Sequence, residues 1–253
     1  MSYLRAVTKL IVLLAMTSGY YLIYAIGRVF VAASHNLCMA WRRRVFVSWA
    51  RGVARLLTLK INTCNSQPSP PFLLVSNHLS YVDVVVLESQ SDCAFVAKSE
   101  VAQWPVLGSL CRTMDTIFID RKTKRDIPRA LEKIERVLEL GMGVVLFAEG
   151  TSTNGTSVAP FKSSLLDVAA RNRVPVHYVT ISYRTPSKTT PQESICWWGD
   201  MTFPSHLFRL LRIPSFEADV VYGLEPIVAE DRHLLAARLW SAVSSQLAPV
   251  VHR

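Results

Sequence analysis

The first 60 residues show hydrophobic positions with helical spacing. Residues 7–26 are nearly all apolar or aromatic, and twenty helical residues span roughly 30 Å, about the hydrocarbon thickness of a bilayer. We expect a helix that either crosses the membrane or inserts partway and pairs with the next helix. A cleaved signal peptide is a third interpretation, with Ala32-Ala33-Ser34 as a weak cleavage site.

Residues 37–59 have the pattern of an amphipathic helix. One face carries two tryptophans and aliphatic residues, and another carries arginines. A basic amphipathic helix with tryptophans suits a membrane interface, which is the interpretation we prefer. The alternative is a helix that packs its apolar stripe on the protein core and leaves the arginines in solvent. The apolar stripe is Trp41, Val45, Trp49, Val53, Leu56 and Leu57, and the polar face is Arg44, Ser48, Arg51 and Arg55.

After a polar, proline-rich stretch at residues 62–71, which has the composition of a linker, the pattern changes. Short apolar runs that predict buried strands alternate with helical patterns. The strands are predicted at 72–76, 93–97, 116–119, 144–147, 176–182, 195–198 and 217–222, and the helices at 126–140, 162–171 and 231–247. This alternation predicts an α/β fold with a single, largely parallel sheet flanked by helices. We therefore expect an N-terminal helical pair that serves as a membrane anchor, residues 1–60, and a separate α/β domain, residues 61–253, that would carry any chemistry.

The charge distribution supports this division. The chain of 253 residues has a formal charge of +9, and residues 1–60 contain nine basic residues and no acidic one. The remainder holds 19 basic and 19 acidic residues. A neutral folded domain argues against nucleic acid as a partner. The basic, apolar segment indicates an anionic membrane surface.

The five cysteines show no CxxC spacing, which argues against a disulfide framework or a zinc site. We expect reduced thiols in a domain on the cytoplasmic side.

Two candidate chemical groups follow the first predicted strand of the domain. His78 stands just past the strand, and Asp83 comes five residues later. If a helix begins near Leu79, the Asp83 carboxylate returns beside the imidazole, where it would orient the ring and stabilise its protonated form. The structural alternative is that Asp83 caps the helix and His78 bonds a loop backbone.

Further candidates also follow predicted strands. Glu149, Gly150 and Thr151 offer a carboxylate, a permissive backbone and a hydroxyl, and backbone N–H groups in such a turn can hold an anion or an oxyanion. Arg121 and Lys98 are placed to face an anionic substrate group. The alternatives are an ordinary turn for the first three residues and surface ion pairs for the two cations. GxSxG, P-loop, GxGxxG and HExxH motifs are absent.

Together these segments resemble the glycerolipid acyltransferase family that includes 1-acylglycerol-3-phosphate acyltransferase. That family shows an HxxxxD block, a phenylalanine-to-arginine block, an EGT block and a Val-Pro block in this order. The matching segments are 77–83, 118–121, 147–152 and 174–176, so the resemblance covers about residues 70–185. The EGT block of the family usually ends in arginine, whereas this chain has Ser152, and a proline usual before the glutamate is Ala148.

The resemblance implies transfer of a fatty acyl group from acyl-CoA or acyl carrier protein to a lysolipid hydroxyl. His78 would be the general base and Asp83 its orienting partner. Arg121, Glu149, Gly150, Thr151 and Lys98 would position the acceptor, with no cofactor and no metal. We expect 1-acylglycerol-3-phosphate as the acceptor. Lyso-ornithine lipid is the alternative because the arginine is missing.

The site of action follows from the same resemblance and from the basic N-terminus. We expect the enzyme at the inner membrane of a bacterium, with the catalytic domain on its cytoplasmic face. A non-catalytic, membrane-anchored lipid-binding protein is the alternative of another class. It would leave the His78 and Asp83 pair without a role.

Overall fold

A seven-stranded sheet forms the centre of the computed structural model, which describes residues 2–104, 107–120, 123, 125–185 and 189–249. The strands are β1 (Leu59–Cys64), β2 (Phe72–Ser76), β3 (Cys93–Lys98), β4 (Ile117–Ile119), β5 (Gly143–Phe147), β6 (Val176–Arg184) and β7 (Phe216–Tyr222). Their order in the sheet is β1-β7-β6-β2-β5-β3-β4. Only the β6–β7 pair is antiparallel among these strands. The predicted α/β fold with a largely parallel sheet is confirmed.

Helices cover both faces of this sheet. They are α1 (Ser2–Val31), α2 (His35–Leu57), α3 (Val82–Glu88), α4 (Leu107–Thr113), α5 (Asp126–Glu139), α6 (Asp167–Arg171), α7 (Pro191–Ser194), α8 (Phe203–Leu211) and α9 (Arg232–Gln246). Short 3₁₀ turns occupy Ser99–Gln103 and Ser164–Leu166. Alternate residues of the buried strands point to opposite faces. Phe72 and Leu74 pack in the core beneath α2 and α3, whereas Leu73 and Val75 pack in the core beneath α5 and α9.

Helix α1 exposes much of its apolar surface. It is long and apolar enough to cross a membrane, and only 6% of its most apolar window is buried in the protein. Near its C-terminal end, Val29 and Phe30 expose 75% and 82% of their surface. Because large exposed apolar patches are rare on soluble monomers, this surface fits contact with lipid.

Helix α2 corrects our preferred interpretation of residues 37–59. Its apolar stripe, with Val45, Trp49 and Val53, is buried in the protein core, so this face does not contact the membrane. Arg44 and Arg55 lie on the exposed face. The stripe belongs to the same core as residues of α3 and of the sheet, and α2 also contacts α1.

The structure differs from four further predicted elements: the strand 195–198, the helix 37–59, the linker 62–71 and the helix 162–171. Residues 195–198 are not a strand, although Ile195 and Cys196 are fully buried. The predicted helix 37–59 ends at Leu57, where Thr58 adopts a left-handed C-cap with φ of 56°. The chain then enters β1, so the first residues of the predicted linker at 62–71 belong to a strand. The predicted boundary between the two domains, after residue 60, also lies within β1. In the predicted helix 162–171, only Asp167–Arg171 is α-helical.

Candidate active site

His78 and Asp83 form a hydrogen-bonded pair at the C-terminal edge of the sheet. His78 lies two residues past the end of β2, and Asp83 is in the first turn of α3. The His78 Nδ1 atom is 2.8 Å from Asp83 Oδ2, which also accepts from the backbone N–H groups of Leu79 at 2.7 Å and Ser80 at 3.0 Å. Asp83 therefore binds the imidazole together with the backbone of the loop that precedes α3, and its side chain makes no cap hydrogen bond to the helix itself.

Tyr183 completes the surroundings of the carboxylate. Its hydroxyl donates to Asp83 Oδ1 at 2.7 Å, and both side chains are buried. Burial, with the charge of Asp83 next, raises the pKa of the Tyr183 phenol well above its ordinary value, so the hydroxyl stays a donor. With all these donors on its two oxygens, Asp83 has a fixed orientation, and it fixes the ring of His78 in turn.

Several contacts hold the backbone around His78. The amide of Asn77 donates to Ile181 O at 2.9 Å and accepts from Ile181 N at 2.8 Å, which ties the loop to β6. The His78 carbonyl accepts from the N–H of Thr153 at 2.9 Å. The imidazole stacks on the ring of Phe147 with centroids 4.1 Å apart. These contacts hold the ring on a rigid part of the fold.

Glu149 lies behind this loop. Its Oε1 accepts from His78 N at 2.6 Å and its Oε2 from Ala159 N at 2.7 Å. Burial is the main cause that raises the pKa of Glu149 from 4.5 to about 7. Both oxygens are directed at backbone N–H groups. This geometry therefore favours a role in positioning His78 over direct contact with an acceptor.

An apolar cavity of about 390 Å³ opens beside His78. Its described lining includes His78, Lys98, Gly150 and Thr151, so the structure places four of the predicted site residues around one space. Cavities of this size hold lipid-like and drug-sized ligands. Predicted site residue Arg121 lies outside the described residues.

The cavity also has walls that local sequence patterns did not indicate. Trp49 of α2 lines it, and its indole N–H donates to Thr17 Oγ1 of α1 at 3.2 Å. Trp197, Trp198 and Gly199 line it near His78. This segment is held by the Trp197 N–H, which donates to Leu79 O at 2.8 Å. The apolar character of residues 195–198 was the available signal in the sequence, but we interpreted it as a strand.

Two remaining residues of the EGT block have different surroundings. The Ser152 hydroxyl donates to the carbonyl of Trp197, so the residue that replaces the usual arginine braces the cavity wall. Thr151 is exposed at the cavity. Across residues 2–104 and the other described ranges, no three His, Cys, Asp or Glu side chains are arranged to hold a metal ion.

Comparisons with known sequences show to which family the chain belongs. The model of the Acyltransferase family matches residues 59–183. A lyso-ornithine lipid O-acyltransferase of Brucella abortus is 34% identical over 222 residues, which cover 82% of this chain and 83% of that protein. A 1-acyl-sn-glycerol-3-phosphate acyltransferase of Neisseria meningitidis is 27% identical, covering 83% of this chain and 84% of the relative.

The fold has a match among solved structures. The crystal structure of the 1-acyl-sn-glycerophosphate (LPA) acyltransferase PlsC from Thermotoga maritima superimposes with a TM-score of 0.71. The match covers 100% of both chains at 18% sequence identity, which shows a shared fold. The family model and the relatives at more than 30% identity show more than the fold: the chain belongs to the acyltransferase family whose members O-acylate lysolipids.

Proposed function

We propose that this enzyme transfers a fatty acyl group from acyl-CoA or acyl carrier protein to the free hydroxyl of a lysolipid, with His78 as the general base. The observation that carries the proposal is the placement of His78 at an apolar cavity with Nδ1 held by the buried Asp83. Nε2 is then the ring nitrogen available to a substrate hydroxyl. A lipid-binding protein without turnover would have no use for this pair.

The reaction needs no covalent acyl-enzyme. The acceptor hydroxyl gives its proton to His78 Nε2 as its oxygen attacks the thioester carbonyl. The tetrahedral intermediate collapses, the carbon–sulfur bond breaks, and the departing thiolate takes the proton from Nε2. Asp83 stabilises the imidazolium between these steps. The backbone N–H at Gly150, which donates to Phe147 O in the resting loop, is too engaged to serve as the oxyanion donor without rearrangement.

The apolar walls of the cavity suit the acyl chain of the donor. Beyond His78 the described lining continues through Leu110, Met114 and Trp49. Burying methylene groups there stabilises the bound chain by about 0.8 kcal/mol for each group. The exposed apolar surface of α1 would keep the enzyme on the membrane in which both lipids dissolve.

Lyso-ornithine lipid is the acceptor that we favour. Among the relatives that align over two thirds of this chain or more, those named lyso-ornithine lipid O-acyltransferase are 32–35% identical to it, above the 26–27% of the two Neisseria relatives named for 1-acylglycerol-3-phosphate. The EGT block supports this choice, since Ser152 offers no charge to a phosphate and its hydroxyl is already used.

Lysophosphatidate is the second candidate. The full-length match to the Thermotoga maritima fold and the presence of Lys98 at the cavity are compatible with a phosphate headgroup. Arg121, Gly150, Thr151 and Lys98 remain the predicted headgroup residues for either acceptor.

A transfer assay tests the proposal. The full chain in detergent is incubated with labelled acyl-CoA or acyl carrier protein and, separately, lyso-ornithine lipid, lysophosphatidate and other lysolipids. We expect a labelled diacyl product with lyso-ornithine lipid at the highest kcat/KM. Lipid binding with no product from any acceptor would favour the non-catalytic alternative, and product from lysophosphatidate alone would select the second candidate.

A further inference from the structure

The turn after β3 brings two opposite charges to the cavity that holds His78. Lys98 ends β3, and Glu100 lies in the following 3₁₀ turn. Both side chains are exposed, and both line the cavity. Among the described residues of its lining, Glu100 is the only carboxylate.

Neither charge is neutralised by another described ion. The ion pairs of the described chain include neither residue, and Glu100 accepts only from the Ser99 hydroxyl next to it, at 3.3 Å. An exposed cation and an exposed anion beside an apolar cavity form an arrangement that a ligand with both charges would complement.

Strand register places Lys98 within reach of an acceptor held at His78, and Glu100 lines the same cavity two residues further along the chain. Val145 of β5 pairs with Leu74 of β2 on one side and with Phe95 of β3 on the other. Lys98 is three residues beyond Phe95, and His78 is four beyond Leu74, so the two are nearly level along the sheet. Two strand spacings separate β2 from β3, or roughly 10 Å. A headgroup that extends from the reacting hydroxyl would cross this gap.

We propose that Glu100 selects the acceptor by binding an ammonium group of its headgroup, with Lys98 binding a carboxylate of the same headgroup. The proposal rests on lysolipid acylation as the function and specifies the substrate class: a lysolipid with a zwitterionic amino acid headgroup. An N-acylated ornithine carries such a carboxylate and a side-chain ammonium. Glu100 would repel a phosphate headgroup, which gives specificity by disfavouring the competitor as well.

The test compares kcat/KM of Glu100→Gln and wild type for lyso-ornithine lipid and lysophosphatidate, with one donor. We expect kcat/KM for lyso-ornithine lipid to fall about tenfold or more, mainly through KM, because a charge-assisted hydrogen bond is lost. Activity on lysophosphatidate should stay equal or rise. Glu139→Gln is the matched control: Glu139 is an exposed glutamate at the end of α5, close in sequence to the first residue of β5, which pairs with the end of β2 opposite to His78.

A second arm changes the ligand instead of the protein. Lyso-ornithine lipid with its side-chain amine acetylated should react with wild type as slowly as the unmodified lipid reacts with Glu100→Gln, and the variant should not distinguish the two lipids. Equal losses on both acceptors, or no loss on lyso-ornithine lipid, would overturn the role of Glu100 while leaving acyl transfer intact. A wild type that acylates only lysophosphatidate would overturn the favoured acceptor as well.

Discussion

Ionisation of Glu149 should make the stability of the protein depend on pH in a way that one substitution removes. Burial raises its pKa from 4.5 to about 7, so the folded state binds this proton more tightly than the unfolded chain. The contribution is fully present below pH 4.5 and is lost as the pH rises through 7. With 1.36 kcal/mol for each tenfold change in proton affinity, the loss comes to about 3 kcal/mol.

Glu149→Gln tests this reasoning because glutamine cannot ionise. The free energy of unfolding is measured by denaturant titration of both proteins in mild detergent between pH 4.5 and 8.5. The free energy of unfolding of wild type, minus that of the variant, should fall by about 3 kcal/mol as the pH rises across this range. Taking the difference cancels the other buried acids, Glu88 and Asp92, whose pKa values burial also raises.

The variant should also be a poorer enzyme at every pH. An amide has one acceptor oxygen for the two backbone N–H groups of His78 and Ala159, so one donor loses its partner. A difference in stability that stays constant to within about 1 kcal/mol from pH 4.5 to 8.5 would refute the account of Glu149. Glu139→Gln, an exposed change, should show no such slope.

Three other changes address the pair, the core and the cavity. Asp83→Asn keeps an acceptor for the imidazole but removes the charge, so kcat should fall about 100-fold or more in a transfer assay; a kcat above a tenth of wild type would contradict this. Arg42→Met leaves the buried Asp92 without its cation and should lower the free energy of unfolding by about 3–5 kcal/mol in denaturant titration; a loss below about 1 kcal/mol would contradict it. Trp49→Ala enlarges the apolar cavity and should shift donor preference towards longer acyl chains in a competition assay, whereas an unchanged preference would place the acyl chain elsewhere.

The sheet could be predicted because its central strands are buried on both faces. The segments that became β2 and β5 are continuous apolar runs, which leave little choice of structure. The edge strand β1 could not be recognised in the same way. Its sequence Leu-Lys-Ile-Asn-Thr-Cys is largely polar, and its pairing with β7 is a contact between residues far apart in the chain.

Two apolar segments were interpreted wrongly, because a segment can be buried by tertiary packing without being a strand or a membrane-contacting helix. Residues 195–198 resemble a strand in composition, yet their backbone bonds Leu79 and Pro191 instead of a neighbouring strand. The stripe on α2 fits a membrane and a protein core equally well by periodicity. Tertiary packing against α3 decides between them.

The candidate site was predictable where its residues follow strands in sequence. His78 and Gly150 come just after a strand and Lys98 ends one, and parallel strands bring such positions to one edge of the sheet. Tyr183 could not be found this way. It lies within β6, 100 residues after Asp83 in the chain, and only the fold brings the two side chains into contact.

The central claim is that His78 takes the proton of the acceptor hydroxyl, and His78→Ala tests it most directly. The main-chain groups of His78 make the hydrogen bonds to Glu149 and Thr153, so the variant should fold. Its unfolding profile and membrane binding should match those of wild type. The measurement is the rate of labelled acyl transfer to the best lysolipid acceptor. We expect a loss of about 1,000-fold or more, and a folded variant that keeps more than a tenth of the wild-type rate would contradict the mechanism.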